Sequence, residues 1–238
     1  MITDRLLLVT LMALAALLVI AWAAARLQTG RRNQGLAQAF ADSARSRLIF
    51  GRPPTVGGFD ACFDLAPEPF AHLSLVYRGG GTVDPIGLLV RILRGSDVLV
   101  VRGLLHTRPA AELLWTRGQI PDRALARRAR VSLWVQRRSD LIAREYAVRG
   151  ADTTALEHVF VDLQARFGAL LQRVSVVADR EDVHVEIVLH GAGLRSTEAA
   201  ALITTVRSLG RAALPRWVCT ESRQGIERRH PGRAMPPG

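Results

Sequence analysis

The chain has 238 residues and a formal net charge of +11, and all 32 of its basic residues are arginine. That balance favours anionic partners: lipid headgroups, RNA or an acidic protein. Two isolated cysteines, Cys62 and Cys219, form neither a CxxC pair nor a metal-ligand spacing, so they read as reduced thiols; aromatic residues at 5% are sparse for a surface that stacks single-stranded bases.

Residues 6–25, LLLVTLMALAALLVIAWAAA, carry no charge. A helix of this length rises roughly 30 Å, the thickness of a bilayer's hydrocarbon core, and satisfies its own backbone hydrogen bonds in lipid. Leu6, Leu14, Leu18, Trp22 and Ala25 mark the expected anchor, with the Trp22 indole at headgroup depth. The run is long for the apolar part of a cleaved signal peptide, and Asp4 cancels Arg5 ahead of it. Arg26, Arg31 and Arg32 follow the span, so the positive-inside rule places the N-terminus outside and the remainder in the cytoplasm. The expected organisation is an extracytoplasmic stub (1–5), a transmembrane helix (6–25), a basic linker (26–32), a cytosolic α+β domain (33–214) and a basic disordered tail (215–238).

Within the domain, residues 33–50 place Leu36, Ala39, Phe40, Ala44 and Leu48 on one helical stripe, ended by Gly51 and Pro53-Pro54. Residues 59–71 leave room for one short strand. A theme of strand, polar turn, strand, glycine and helix then occurs three times. The first unit uses 72–78, a triple-glycine turn at 79–81, 86–93 and a segment over 97–106 read as a helix by analogy with the other units, with a third strand as the alternative because it is rich in β-branched residues. The second uses 130–137, 142–148 and a helix over 154–171, where Thr154 and Glu157 have capping-box spacing. The third uses 173–178, 183–190 and a helix over 197–213. Residues 109–129 read as arginine-rich and partly helical. Alternation such as Val183/Val185/Ile187/Leu189 implies a sheet with one buried face. The expected fold is α+β: a single N-terminal transmembrane helix followed by a two-layer α/β sandwich built from three ββα units.

The chemistry is spare. Gly191-Ala192-Gly193 follows a strand and precedes a helix like a dinucleotide loop, but the third glycine is missing and the strand belongs to an antiparallel hairpin. His184, Glu186 and His190 share a strand face, yet the two histidines stand roughly 20 Å apart in a straight strand, too far to share an ion. No Ser/His/Asp or Cys/His set assembles. The expectation is therefore no catalytic residue, no metal, no cofactor and no identified small-molecule substrate, with a membrane-tethered nucleotide-binding domain or enzyme at Gly191–Gly193 as the alternative. Nine arginines against three acidic residues between 117 and 149 form the densest basic run. Arg31, Arg32, Arg123, Arg127, Arg128, Arg130, Arg137 and Arg138 are the candidate contacts to an anionic surface, and an anionic-lipid-binding module is a further reading.

The segment GRRNQGLAQAF (30–40) just after the span, the strand end Tyr77-Arg78-Gly79, GLLVRILR (87–94) followed by Asp97-Val98-Leu99, and the helix end VDLQARF (161–167) occur in the order of similar motifs in the calumin family of coiled-coil ER membrane proteins, which this chain resembles over roughly residues 30–215. The resemblance implies a non-enzymatic role beside the translocon, where such proteins assist insertion of multipass membrane proteins with a small multispanning partner, close to the ribosome. It also implies a family-level link to ER calcium homeostasis. The address would be the ER membrane in a eukaryote and the plasma membrane in a bacterium.

Overall fold

The structure, a computed structural model, describes residues 2–79, 97–118, 134–139 and 144–215. Its first element, α1 (Ile2–Ala44), is one helix of 43 residues, about 65 Å long. Residues 26–32, read from sequence as a linker, are helical and join the apolar run to the amphipathic segment without a break. From Val9 the helix is long and apolar enough to cross a membrane, and its apolar window has none of its surface buried by the protein. Leu6 falls within α1; Leu14 and Leu18 are more than half exposed, and Trp22 is also exposed. Ala25 is the first residue of the run to be partly covered.

The helix changes partners along its length. Leu36, Ala37 and Phe40 are buried in the core, with Ala39 and Ala44 partly covered beside them, so the predicted stripe holds as far as Ala44. It does not reach residue 50. Leu48 is buried from strand β1 (Leu48–Thr55), which contains Gly51, Pro53 and Pro54. Prolines are tolerated there because β1 is the outer strand of the sheet and one row of its N–H groups has no ladder to join.

Eight further strands follow: β2 (Gly58–Phe63), β3 (Phe70–Arg78), β4 (Val98–Leu105), β5 (Glu112–Thr116), β6 (Val135–Ser139), β7 (Arg144–Arg149), β8 (Leu171–Val176) and β9 (Val185–His190). They form one sheet in the order β1-β2-β3-β4-β9-β8-β5-β7-β6, every neighbouring pair antiparallel. Among the described residues α2 (Thr154–Phe167) lies between β7 and β8, and α3 (Ala199–Ala213) follows β9. The observed class is thus mixed helix and antiparallel sheet.

The second and third ββα units appear as β6-β7-α2 and β8-β9-α3. The first does not. Residues 97–106, expected as a helix, hold β4, which sits between β3 and β9 in the interior of the sheet. Val98, Val100 and Val101 are β-branched and fit a pleated, half-buried surface better than a helix. β5 occupies part of the 109–129 stretch expected to be partly helical, of which residues 119–129 lie outside the described residues. The strand expected at 86–93 and the turn glycines Gly80 and Gly81 lie outside the described residues, as do Arg123, Arg127, Arg128, Arg130, Cys219 and the tail beyond Pro215.

One face of the sheet carries the main core: Phe59, Leu75, Tyr77, Leu99, Leu113, Trp115, Val174, Ile187 and Leu189 pack with Leu36 and Phe40 of α1, Phe160 of α2, and Leu202 and Val206 of α3. Alternation then sends Asp60, Ser74, Arg102, Ser175 and Glu186 to the other face, where Leu114, Trp134, Ala147 and Val177 make a second, small apolar cluster. In α2, Leu156, Phe160, Leu163 and Phe167 are buried along one face, while Leu171, expected inside the helix, is buried as the first residue of β8. His158 is exposed.

The start of α2 differs from the expected capping box. Thr153 is the N-cap, and its hydroxyl donates to Glu157 Oε1 at 2.5 Å; the Tyr146 hydroxyl donates to Glu157 Oε2 at 2.7 Å. Burial, then the hydrogen bond to Glu157 and its charge, push the Tyr146 phenol up to about 12. The folded state therefore resists ionisation while an unfolded tyrosine ionises near pH 10. Stability from this group is complete below pH 10 and is lost as pH rises towards 12. Spectrophotometric titration of the two tyrosines should show one phenol ionising near pH 12, and Tyr146→Phe should remove that step.

Candidate functional site

The register gives the domain two distinct ends. Asn33 Nδ2 donates to Thr55 O at 2.6 Å, at the far end of β1, whereas Arg45, just past the last residue of α1, leads back to Leu48. α1 thus runs antiparallel to β1, and its N-terminal part leaves the domain past the β1–β2 turn. Pairing carries that same end across the sheet: Phe59 to Tyr77, Tyr77 to Leu99, Leu99 to Leu189, Leu189 to Leu171. We call it the exit end.

The junction with α1 is built there. Arg32 donates through Nη2 to Gly191 O at 3.3 Å and Leu194 O at 3.5 Å, so this guanidinium turns towards the domain. Arg31 is exposed. A cleft of about 580 Å³ lies between Arg32, Gly35 and Leu36 of α1 and Gly193, Leu194, Arg195 and Ser196 of the loop. Four residues earlier than Gly30, Arg26 stacks its guanidinium 4.7 Å from the Trp22 ring centroid, a cation–π pair one turn apart.

The Gly191–Gly193 loop is shaped by close packing. A Cβ on Gly191 would lie 2.3 Å from Tyr77 Cε2, and one on Gly193 would lie 2.5 Å from Leu170 Cδ2. The Tyr77 hydroxyl meets Asp97 Oδ2 at 3.1 Å, and Gly191 N donates to Asp97 O at 2.7 Å. Leu194 N donates to Gly191 O, Arg195 N to Glu198 Oε2 and Glu198 N to Arg195 O. A phosphate cradle needs free N–H groups converging on one point. Here those of Gly191, Leu194, Arg195 and Glu198 are committed, and two of the loop's carbonyls face Arg32.

The three residues considered for a metal are separately engaged. Glu186 lies on the second sheet face, buried, with Arg102 Nε at 3.3 Å, Arg173 Nη1 at 3.5 Å and Arg180 Nη1 at 3.8 Å. Three arginines from β4, β8 and the β8–β9 turn neutralise one carboxylate. His190 contacts the Gln172 amide. His184 accepts the Leu105 N–H through Nδ1 at 3.2 Å and borders an open cleft of about 390 Å³ with His106, Arg108, Asp179, Arg180 and Glu181. Among the described residues no group of three or more His, Cys, Asp or Glu is placed to hold a metal ion.

Burial pushes the His184 imidazole below its usual pKa, and the Arg108 charge adds to this. The folded state therefore binds the proton less readily than the unfolded chain. Stability from this residue is complete above about pH 6.5 and is lost as pH falls through the depressed value. Melting temperature should decline between pH 7 and 5, and His184→Asn should flatten that decline.

A second ion pair, Glu112 with Arg149, stands on the same face as Glu186, towards its β6 edge; Ala178 N donates to Glu112 Oε1 at 2.7 Å, and the Arg149 guanidinium covers the Trp134 ring at 5.1 Å. Of the predicted basic-run residues, Arg137 and Arg138 lie on β6, the outer strand opposite β1. Arg32 instead meets the loop after β9, and Arg123, Arg127, Arg128 and Arg130 lie outside the described residues. Sequence reasoning missed the Glu186 cluster and the α1 junction, because both arise from pairing between segments far apart in the chain. Neither a protein-family model nor a curated protein matches this chain.

Proposed function

We propose that this protein is a membrane-anchored, non-enzymatic scaffold that assists insertion or folding of multipass membrane proteins. The observation that carries the reading is α1: one helix supplies an exposed apolar run of membrane-spanning length and, without a break, a buried stripe locked into the domain by Leu36, Phe40, Arg32 and Asn33. Such a helix holds the domain at a fixed height, about 12 Å of helix from Ala25 to Asn33. A fixed height suits a body that receives or shields a membrane segment beside a channel.

Its arginines support the same reading. Five of them, Arg102, Arg173 and Arg180 on Glu186, Arg149 on Glu112 and Trp134, and Arg32 on backbone carbonyls, hold surfaces in shape. In this proposal the N-terminus lies outside and the domain in the cytoplasm, at the ER membrane in a eukaryote or the plasma membrane in a bacterium. The partners are translocon or insertase subunits and a small multispanning protein, with the ribosome nearby, as the calumin resemblance implies; that resemblance also carries the link to calcium homeostasis.

The test is affinity capture of the full chain from gentle detergent extract, with crosslinking to newly made multipass proteins. Recovery of translocon or insertase subunits is the expected result. Capture free of all of them, together with a thermal shift on adding a nucleotide, would replace this function with the nucleotide-binding alternative.

A further inference from the structure

The described surface is electrically polarised along the direction in which α1 leaves the domain. At the exit end and along the adjoining helix stand Arg26, Arg31, Arg78, Arg117, Arg166 and Arg195, all exposed. Their positions follow from the register and the chain path. Arg78 closes β3 opposite Gly58 and Val98; Arg117 follows β5 and reaches Ala169 O at 2.9 Å; Arg166 is in the last turn of α2, and Arg195 borders the Arg32 cleft. Of the acidic groups towards that end, Asp97 is buried against Tyr77 and Glu198 receives Arg195 N, while the exposed Asp60 and Glu145 stand opposite Arg52 and Arg138 in the ladder.

The opposite end carries Asp64, Glu68, Asp152, Asp179, Glu181 and Asp182, in the loops after β2, before β3, before α2 and between β8 and β9. Arg45, Arg47, Arg108 and Arg180 are interspersed there, so that end is mixed in sign. The net positive charge therefore faces the side on which the apolar helix emerges.

We infer that the exit end of the domain docks electrostatically on anionic headgroups of the bilayer that holds α1. This rests on the anchor reading above and adds a surface and a ligand chemistry to it. Because α1 is continuous, about 12 Å of helix separates Ala25 from Asn33 at the exit end, comparable to one Debye length at 0.1 M salt, about 10 Å. An arginine brought to the headgroup surface is worth about fivefold in the docked population, and the gain falls off over one Debye length. The opposite end, mixed in sign, gives the reverse orientation no such gain. The partner is thus an anionic phospholipid surface, and the anchor helix itself supplies the alignment.

The experiment uses the full chain in lipid nanodiscs, with Cys62→Ser, Cys219→Ser and Val56→Cys placing one bimane label on the β1–β2 turn. Quenching by headgroup-nitroxide lipid is compared in neutral phosphatidylcholine and in discs containing phosphatidylglycerol. The expected result is severalfold stronger quenching in the anionic discs, abolished by 1 M salt and by combined Arg31→Gln, Arg78→Gln, Arg166→Gln and Arg195→Gln. Equal quenching in both compositions would overturn the inference, and tight RNA binding beside equal quenching would reassign the basic end to nucleic acid. If the four-fold variant fails to fold, the salt series on the parent chain decides. Alkaline extraction separates the two readings: a chain retained in membranes but indifferent to lipid charge loses only the docking, whereas a chain released at alkaline pH loses the anchor.

Discussion

Phe160→Ala should cost about 3–5 kcal/mol and lower the melting temperature by roughly 6–20 °C, read by circular dichroism of the full chain in detergent. Phe160 has no exposed surface and joins α2 to two strands at once, its ring centroid 5.1 Å from that of Tyr146 on β7 and 6.0 Å from that of Trp115 on β5. Truncation removes the ring's burial and leaves a cavity between aromatic groups that cannot collapse without moving a strand. Leu163→Ala, buried one turn later, should cost less, about 2–5 kcal/mol, because aliphatic truncation leaves a smaller cavity. A Phe160→Ala loss below about 1 kcal/mol would mean that α2 does not pack against β5 and β7 as described.

Gly191→Ala should destabilise by about 1–3 kcal/mol although it adds one methyl group. The added carbon would enter the Tyr77 ring, which is 2% exposed, packs against Phe59 at 5.6 Å and is held at its hydroxyl by Asp97. The ring has no rotamer to escape into, so the loop must shift, and the Gly191 carbonyl that receives Arg32 shifts with it. The effect should therefore appear twice: a lower melting temperature and faster amide exchange around Arg32. Gly35→Ala, where an added Cβ meets nothing within 4 Å, is the control and should be neutral or slightly stabilising. Equal behaviour of the two variants would contradict the close approach of loop and ring.

Much of the sheet was legible from period-2 alternation, because β3 and β9 each bury one face and expose or pair the other. The helices α2 and α3 were legible from their apolar stripes for the same reason at period 3.6. Two segments misled for physical reasons. In β1, Gly51, Pro53 and Pro54 resemble the end of a helix, yet an outer strand accepts prolines on its unpaired side. In β4 the analogy with the two later ββα units outweighed the β-branched composition, and the composition was the better guide.

The junction was hidden differently. Gly30-Arg31-Arg32 looks like a linker because it is polar and holds a glycine, but arginine is a good helix former and the packing of Leu36 and Phe40 rigidifies the next turns of the helix. The Glu186 cluster could not be read at all. Its arginines come from β4, β8 and the β8–β9 turn, and only the register of three strands brings them to one carboxylate.

The central claim is that the apolar run and the folded domain are joined by one unbroken helix. Amide hydrogen exchange of the full chain in nanodiscs, resolved over residues 26–33, tests it most directly. The account predicts protection that continues from the embedded segment through Gln28, Thr29 and Arg32 into the buried stripe. Fast, unprotected exchange at residues 26–32, flanked by protection on both sides, would show a hinge and contradict it.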